Sequence, residues 1–445
     1  MSWLTGSVQT MTSTPSYPSR AAISNALAVD SGYTDAVASA TRASGTRTGP
    51  PPVASSGIGS VIGTERTTSL SRRSGRRAEQ GRVRRSPGRI SFALACLVML
   101  AAAASATAAP VPLHESTTPI SVPSGVRSVV VDVDAGDVVV RAGSGASSVH
   151  ERWTLLEPTV TTTLQGRTLR VSGSCGQPVR LRDVNRGLAD LDCGVDVTLA
   201  VPAGVSLQVN GDGITVSGVT GDQALVAKDA LAVDHAGPGA VSAQSSGDAV
   251  RLTASRPRTA DLDGNDDVVA TGVTTGALKA VSSSAVTLSS VDVHGPATVQ
   301  GDGPVTLDRV TAGGADVTST SDALSVTRSR FDRLTASSTD GTTLDGVTVS
   351  VAGLHASPGR VRVLRSRVAD LSATGDDSVA ATLLAVPDRV RLESTASWVA
   401  VEVPRSRYAV TTSTATGHVT VQDVVVDKRA PRSISLTANG DISLT

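Results

Sequence analysis

Aromatic side chains are nearly missing from this chain: Trp, Tyr and Phe together make up 2% of its 445 residues. Beyond residue 110 only Trp153, Phe331, Trp398 and Tyr408 remain. A thick globular core is normally filled by aromatics and Leu, so this scarcity excludes such a core. Stacking platforms for sugar rings or bases are excluded with it. Val, Ala, Leu and Thr are plentiful instead, together with Gly, Ser and Asp. Small and β-branched residues suit strands and fill a narrow core between two sheets.

Cysteine is equally scarce, at three residues. Cys96 falls in an apolar run, which leaves Cys175 and Cys193 downstream. An even pair in an oxidising compartment predicts one disulfide, closing a loop of about 18 residues and adding roughly 3 kcal/mol. A metal site is the alternative, but neither a CxxC spacing nor a neighbouring His accompanies the pair.

The chain has only one long apolar run. ISFALACLVMLAAAASATAAP carries no charge and follows the basic RVRRSPGR at 82–89. A basic stretch, an apolar stretch from Ile90 and the A-x-A triplet Ala104-Ser105-Ala106 form an export signal. Its distance from Met1 leaves two explanations. Translation begins near Val83 and the signal is cleaved after Ala106 or Ala108, or the segment 90–109 stays as a membrane anchor with residues 1–89 inside the cell. Net charge is formally zero, yet residues 1–89 hold twelve Arg against four acids, +8, so the rest carries −8. Without apolar periodicity and rich in Ser, Gly, Pro and Arg, residues 1–89 are expected to be disordered.

Helical periodicity is absent beyond residue 110, and a repeat stands in its place. DGITVSGV, DALAVDHA, GDAVRLTA, DDVVATGV, SAVTLSSV, GPVTLDRV, DALSVTRS, GTTLDGVT, GRVRVLRS, DSVAATLL and SWVAVEVP share one phrase: a Gly/Asp/Asn turn, then an alternating strand. Aligned at Ile214, Leu231, Val250, Val268, Val286, Val305, Leu324, Thr343, Val361, Val379 and Val399, they are spaced by 17, 19, 18, 18, 19, 19, 19, 18, 18 and 20 residues. A second strand phrase lies between each pair, as in QALVAKD, GALKAVSS and RVRLESTA. Two strands per period, no helix and constant length predict an all-β fold: a single-stranded parallel β-helix, or solenoid, with coils of about 18–19 residues. The Asp of each turn is expected to bond its own backbone two residues on. Segment 110–209 reads as a less regular, disulfide-stapled cap, and 210–445 as the repeats, with RYAVTTSTATGHVTVQDV and RSISLTANGDISLT as the final coils around the insertion VVVDKRAP.

The opening VPSGVRSVVVDVDAGDVVVRAG with HERW resembles the bacterial putative-adhesin domain family. So do the transition CGVDVTLAVPAGVSLQVNGDGITVSGVTGD and the closing RYAVTTSTATGHVTV…APRSISLTANGDISL. The resemblance covers about 120–445 and is strongest at its two ends. It implies an exported β-solenoid with an envelope or surface role, and it supplies no catalytic residues.

Chemistry has few footholds. A polysaccharide-acting β-helix needs clustered carboxylates on one face, for which Asp261, Asp263, Asp266 and Asp267 are the candidates; a tight polar turn is the competing explanation. Asn265-Asp266-Asp267 could hold an incidental calcium ion, but GGxGxD repeats are lacking. His114, His150, His235, His294, His355 and His418 are scattered, with no pair at metal-ligand spacing. No catalytic residue, cofactor or metal is therefore expected. The acidic balance argues against nucleic acid, and a membrane is met only through segment 90–109 if it is retained. The function that remains is a non-enzymatic secreted or cell-surface solenoid that binds a protein or glycan ligand or acts as a scaffold. A polysaccharide-acting enzyme and a membrane-anchored sensory ectodomain are the alternatives.

Overall fold

A computed structural model describes residues 112–154, 157–176 and 193–445. The basic segment 1–89 and the apolar segment 90–109 lie outside them. Every element among the described residues is a strand. One coil serves as the pattern. Gln223–Ala227 lies in the first sheet, Leu231–Asp234 lies in the second, and residues 235–239 form a short third side returning to the next first-sheet strand, Ala240–Ser245. Stacking is parallel and in register: Gln223 sits beside Val241 and Leu231 beside Val250. From Thr274 onward the third side also pairs, so that Asp292–Gly301, Thr311–Ser319, Arg330–Ser338 and Thr348–Ala356 run on from it into the first sheet. The solenoid of 18–19-residue coils is thus present.

Its core explains the small residues. Along the first sheet each coil turns two side chains inward, and most coils pair a large one with a small one: Ala260/Leu262, Leu278/Ala280, Ala297/Val299, Leu334/Ala336, Ala352/Leu354 and Leu371/Ala373. All of them are buried. In all four adjacent steps within this set the order reverses, so bulk in one coil meets a gap in the next, which is how a thin core reaches close packing. At the corner leading to the second sheet only Gly, Ser or Ala faces inward from Ala227 to Ser394. A Cβ on Gly264, Gly301 or Gly375 would stand 3.0, 3.0 and 3.1 Å from a Cγ2 of Val268, Val305 and Val379. Serines at this corner donate to turn carbonyls, as Ser282 does to Asp266 at 2.5 Å and Ser319 to Gly303 at 2.8 Å.

After nine consecutive second-sheet strands, starting with Ile214–Ser217, the backbone turns left-handed, with φ between 47° and 73° at Gly218, His235, Ala254, Gly272, Ser290, Arg309, Arg328, Gly346 and Arg365. The next residue points inward. Where it is serine, one motif recurs: the Ser255, Ser329 and Ser366 hydroxyls donate to the carbonyl two residues back and accept the buried N–H of Ala236, Val310 and Val347 one coil away, at 2.9, 2.9 and 3.1 Å. These bonds satisfy donors that the corner removes from the ladder.

Two expectations are corrected. The aligned position in GTTLDGVT is Thr342, not Thr343: Thr342 pairs with Leu324 and Val361 and is buried. Turn aspartates mostly reach across coils rather than two residues along their own. Asp137, Asp267 and Asp441 accept the N–H of Gly213, Ala285 and His418 in the adjacent coil. Asp248 and Asp322 instead accept from the next residue. Stacked turns lie one coil apart, so a neighbour's donor is as near as a local one.

The ends break sequence order. Ser128–Val133 and Val138–Ala142 form the first coil in the chain, yet they stand second in the stack. Thr168–Ser174 and Cys193–Val201 flank them on one side, Ser206–Gly211 and Ile214–Ser217 on the other. Trailing the repeats, Ser433–Ala438 and Ile442–Leu444 slot between Arg389–Ser394/Val399–Glu402 and Arg407–Thr414/Val419–Val421. The outermost trailing coil is therefore the earlier segment, contrary to the expected order.

Candidate binding surface

The outer faces are built from the strand positions that alternate with the core. On the first sheet one outward column reads Gln244, Asp263, Val281, Gln300, Thr318, Ser337 and His355. Beside it the turn residues Ser246, Asn265, Ser283, Asp302 and Thr320 form a second. Between the two lies an open groove of about 400 Å³, lined by Gln244, Asp263, Asn265, Gln300 and Asp302 among others. Its polar groups are amides, hydroxyls and two carboxylates, suited to hydrogen bonding with a hydroxylated ligand.

The acid run that sequence singled out is divided by the fold. Asp261 pairs with Lys279 of the next coil at 3.1 Å. Asp266 and Asp267 build the turn, Asp266 through its carbonyl and Asp267 through its carboxylate. Asp263 alone of the four lines the groove. Asp302 shares it from two coils away, about 9.6 Å along the stack. Asn265 receives the Ser283 hydroxyl on its side-chain oxygen at 3.1 Å. Among the described residues no group of three or more His, Cys, Asp or Glu is placed to hold a metal ion.

The other candidates are dispersed. His114 stacks on Trp153 at 5.7 Å, and His150 bonds Thr117. His235 pairs with Asp234, His294 with Asp292, and His418 with Asp441. Phe331 and Tyr408 are buried, whereas Trp398 is 43% exposed. Cys175 and Cys193 form the expected disulfide, with Cα atoms 6.0 Å apart, joining the two strands of the outermost leading coil.

Electrostatics on the surface follows the stack as well. Asp308 accepts from Arg328 and Thr327 of the next coil, and these bonds hold its carboxyl below the usual carboxylate range. Asp376 is lowered by the hydroxyls of Ser357 and then Thr395, one coil to either side. Asp345 raises the affinity of Arg365 for its proton. The pairing of Arg328 with Asp308 was not read from the sequence. Their 20-residue separation, one coil plus one, is the signal that would have found them.

No family model matches the chain, and no curated protein matches it. Solved structures share part of it. One is a putative cell adhesion protein from Clostridium sporogenes, at 8% identity over 75% of this chain and 99% of that one, with a TM-score of 0.17. Another is a putative adhesin from Bacteroides fragilis, at 11% identity over 75% and 97%, with a TM-score of 0.19. A putative lipid binding protein from Parabacteroides distasonis matches at 9% identity over 75% and 97%, with a TM-score of 0.17. At such scores the likeness carries no argument about what this chain binds.

Proposed function

We propose that the protein is a non-catalytic binding scaffold of the adhesin-like kind, exported and presented at the cell surface or released from it. The observation that carries this reading is the division of the acid run. Of its four carboxylates, that of Asp261 is spent on a cross-coil ion pair and that of Asp267 on the N–H of Ala285, while Asp266 sits in the turn, so Asp263 alone of the four lines the open polar groove. Hydrolysis of a glycosidic bond calls for two carboxyl groups about 5–9.5 Å apart, whereas Asp302, the other carboxylate of the groove, lies two coils away in the neighbouring column and accepts the Thr320 hydroxyl. Long faces of Thr, Ser, Gln and Asp, repeated coil after coil, suit contact with an extended hydroxylated polymer or a protein surface. The basic and apolar run before residue 110, read in the sequence as an export signal, supports such a placement.

Two measurements test it. Incubation with a panel of polysaccharides should release no new reducing ends, and Asp263→Asn with Asp302→Asn should leave binding to cells or polymers within a few fold. Turnover that these substitutions abolish would make the protein an enzyme. Fractionation of the producing cells should place the chain outside the cytoplasm, and N-terminal sequencing would show whether segment 90–109 is retained.

A further inference from the structure

The narrow third side carries a second cleft, built by an interruption in a row of arginines. In the left-handed corner column, coils bearing Arg309 and Arg328 are followed by Gly346 and then Arg365. Two residues on, the outward column reads Thr311, Arg330, Thr348 and Arg367 in register. The coil holding Gly346 and Thr348 thus has small side chains where its neighbours on both sides carry two arginines each. A trench results across the stack. A Cβ on Gly346 would meet nothing within 4 Å. Two cavities occupy this trench. One of about 490 Å³ is lined by Thr327, Arg328, Asp345, Gly346 and Arg365, and one of about 200 Å³ includes Arg330, Asp332, Thr348, Ser350 and Arg367.

Charge in the trench is unevenly spent. Arg328 is held by Asp308 and Arg365 by Asp345, so both guanidiniums are fixed in place. Neither Arg330 nor Arg367 has an ion-pair partner among the described residues, and Asp332 is the one unpaired acid lining the cavities. Two free cations against one free anion leave a surplus of one positive charge, within a part of the chain beyond residue 89 that carries a net −8. Arg330 and Arg367 stand two coils apart, about 9.6 Å, with the Thr348 hydroxyl midway. An anionic group seated over Thr348 comes within reach of both guanidiniums and of one hydroxyl donor, and charge-assisted bonds of this kind are the strong ones.

We propose that this trench binds an acidic glycan, with Arg330 and Arg367 clamping a carboxylate or sulfate of one sugar unit above Thr348. The proposal rests on the binding-scaffold reading and gives it a ligand class. The floor of Gly346, Thr348 and Ser350 is shallow and carries two hydroxyls, with Ala385 and Val386 beside it, an arrangement that takes both the hydroxyls and the C–H face of a sugar ring. The side chains of one coil form that floor, and no coil closes it at either end, so an internal unit of a polymer fits as well as a terminal one.

The test measures binding of the folded chain to immobilised polygalacturonate, heparin, neutral dextran and duplex DNA. Wild type should hold polygalacturonate or heparin over dextran and DNA, and whichever of the two binds tighter identifies carboxylate or sulfate. R330Q/R367Q should weaken that binding about tenfold or more, the loss expected from two charge-assisted bonds. R251Q/R362Q removes the same charge from the outer face of the second sheet and should change it little. Gly346→Arg fills the trench with the side chain its column accepts at the same left-handed backbone in Arg309, Arg328 and Arg365, and should abolish binding while lowering the melting temperature only slightly, by the strain of a side chain at positive φ. Equal losses in both double variants, an unaffected Gly346→Arg, or preference for DNA would each overturn the proposal. Failure to bind either acidic glycan while the chain still binds cells would reject the trench and leave the scaffold. Failure to bind anything would reject both.

Discussion

The leading and trailing ends of the solenoid solve one problem in different ways. Both interleave a coil out of chain order, but only the leading end is covered. There His114–Ile120 pairs antiparallel with Ser147–Trp153, which pairs antiparallel with Cys193–Val201, and Thr159–Gln165 closes antiparallel on Thr168–Ser174. The disulfide ties the two sheets of that outermost coil together. At the trailing end the last coil, Arg407–Thr414 and Val419–Val421, runs parallel to its neighbour and meets no antiparallel cover among the described residues. Val419, Val421, Val425 and Val426 are 38–54% exposed there, and an open strand edge invites association. The contrast teaches that a stack of identical coils does not finish itself. One end needs strands of reversed direction and a crosslink. The other is held by a late strand pair and the buried Tyr408, whose hydroxyl donates to the Pro404 carbonyl at 2.8 Å.

The largest effect is expected from deleting residues 433–445. This removes the coil that Arg407–Val421 stacks on, so amide exchange should show residues 407–432 stripped of protection while coils before Arg389 keep theirs. Retained protection would mean that the trailing coil can close directly onto its new neighbour. At the leading end, Cys175→Ser with Cys193→Ser should lower unfolding free energy by about 3 kcal/mol, read by denaturant titration, with no change in exchange at the trailing coil. A loss shared by both ends would show that the stack unfolds as one unit rather than from its ends.

Smaller effects separate the trailing end from the body by pH. Burial pushes the Tyr408 hydroxyl above its ordinary range. Its contribution is therefore complete below about pH 10 and is lost as pH rises through the higher folded value. Tyr408→Phe should cost about 1 kcal/mol near neutrality and flatten the alkaline limb of a Tm profile. Asp308 and Asp376 in the body are lowered, so their contribution is present above about pH 4 and disappears as pH falls through the lower folded values. D308N/D376N should flatten the acid limb alone. Least of all, Val419→Lys with Val421→Lys should change stability by under about 0.5 kcal/mol yet reduce concentration-dependent association in sedimentation. No change in association would mean that the exposed edge is already protected by its twist or charges.

How much of this was legible in the sequence depends on distance along the chain. The coils were legible because each one repeats the same in–out alternation within about 18–19 residues. One slip, at Thr343, arose where adjacent threonines offered two choices of register, and burial of Thr342 against the Ser338 hydroxyl at 2.9 Å decided between them. The cysteine pair was legible from counting. The interleaved ends were not, because nothing local to Ser433–Leu444 says which coils it will lie between; that is settled by pairing with strands 20 to 45 residues earlier. The inward serines and the arginine trench were hidden for a related reason. Each becomes visible only when coils are overlaid in true register, and an error of one residue turns Thr348 inward and erases the trench.

The slotted trailing coil also bears on how the molecule would carry tension. A coil at the tip of a stack can be peeled away one bond at a time, the weakest way to load a ladder. Ser433–Leu444 is bonded on both sides, to Arg389–Glu402 beneath and Arg407–Val421 above. A pull along that strand loads two ladders in shear together, so rupture must break both rows of bonds at once. A tether joined to this strand would hold like a seam stitched twice, whereas one joined at Val425–Val426, paired on one side over two residues, would unzip.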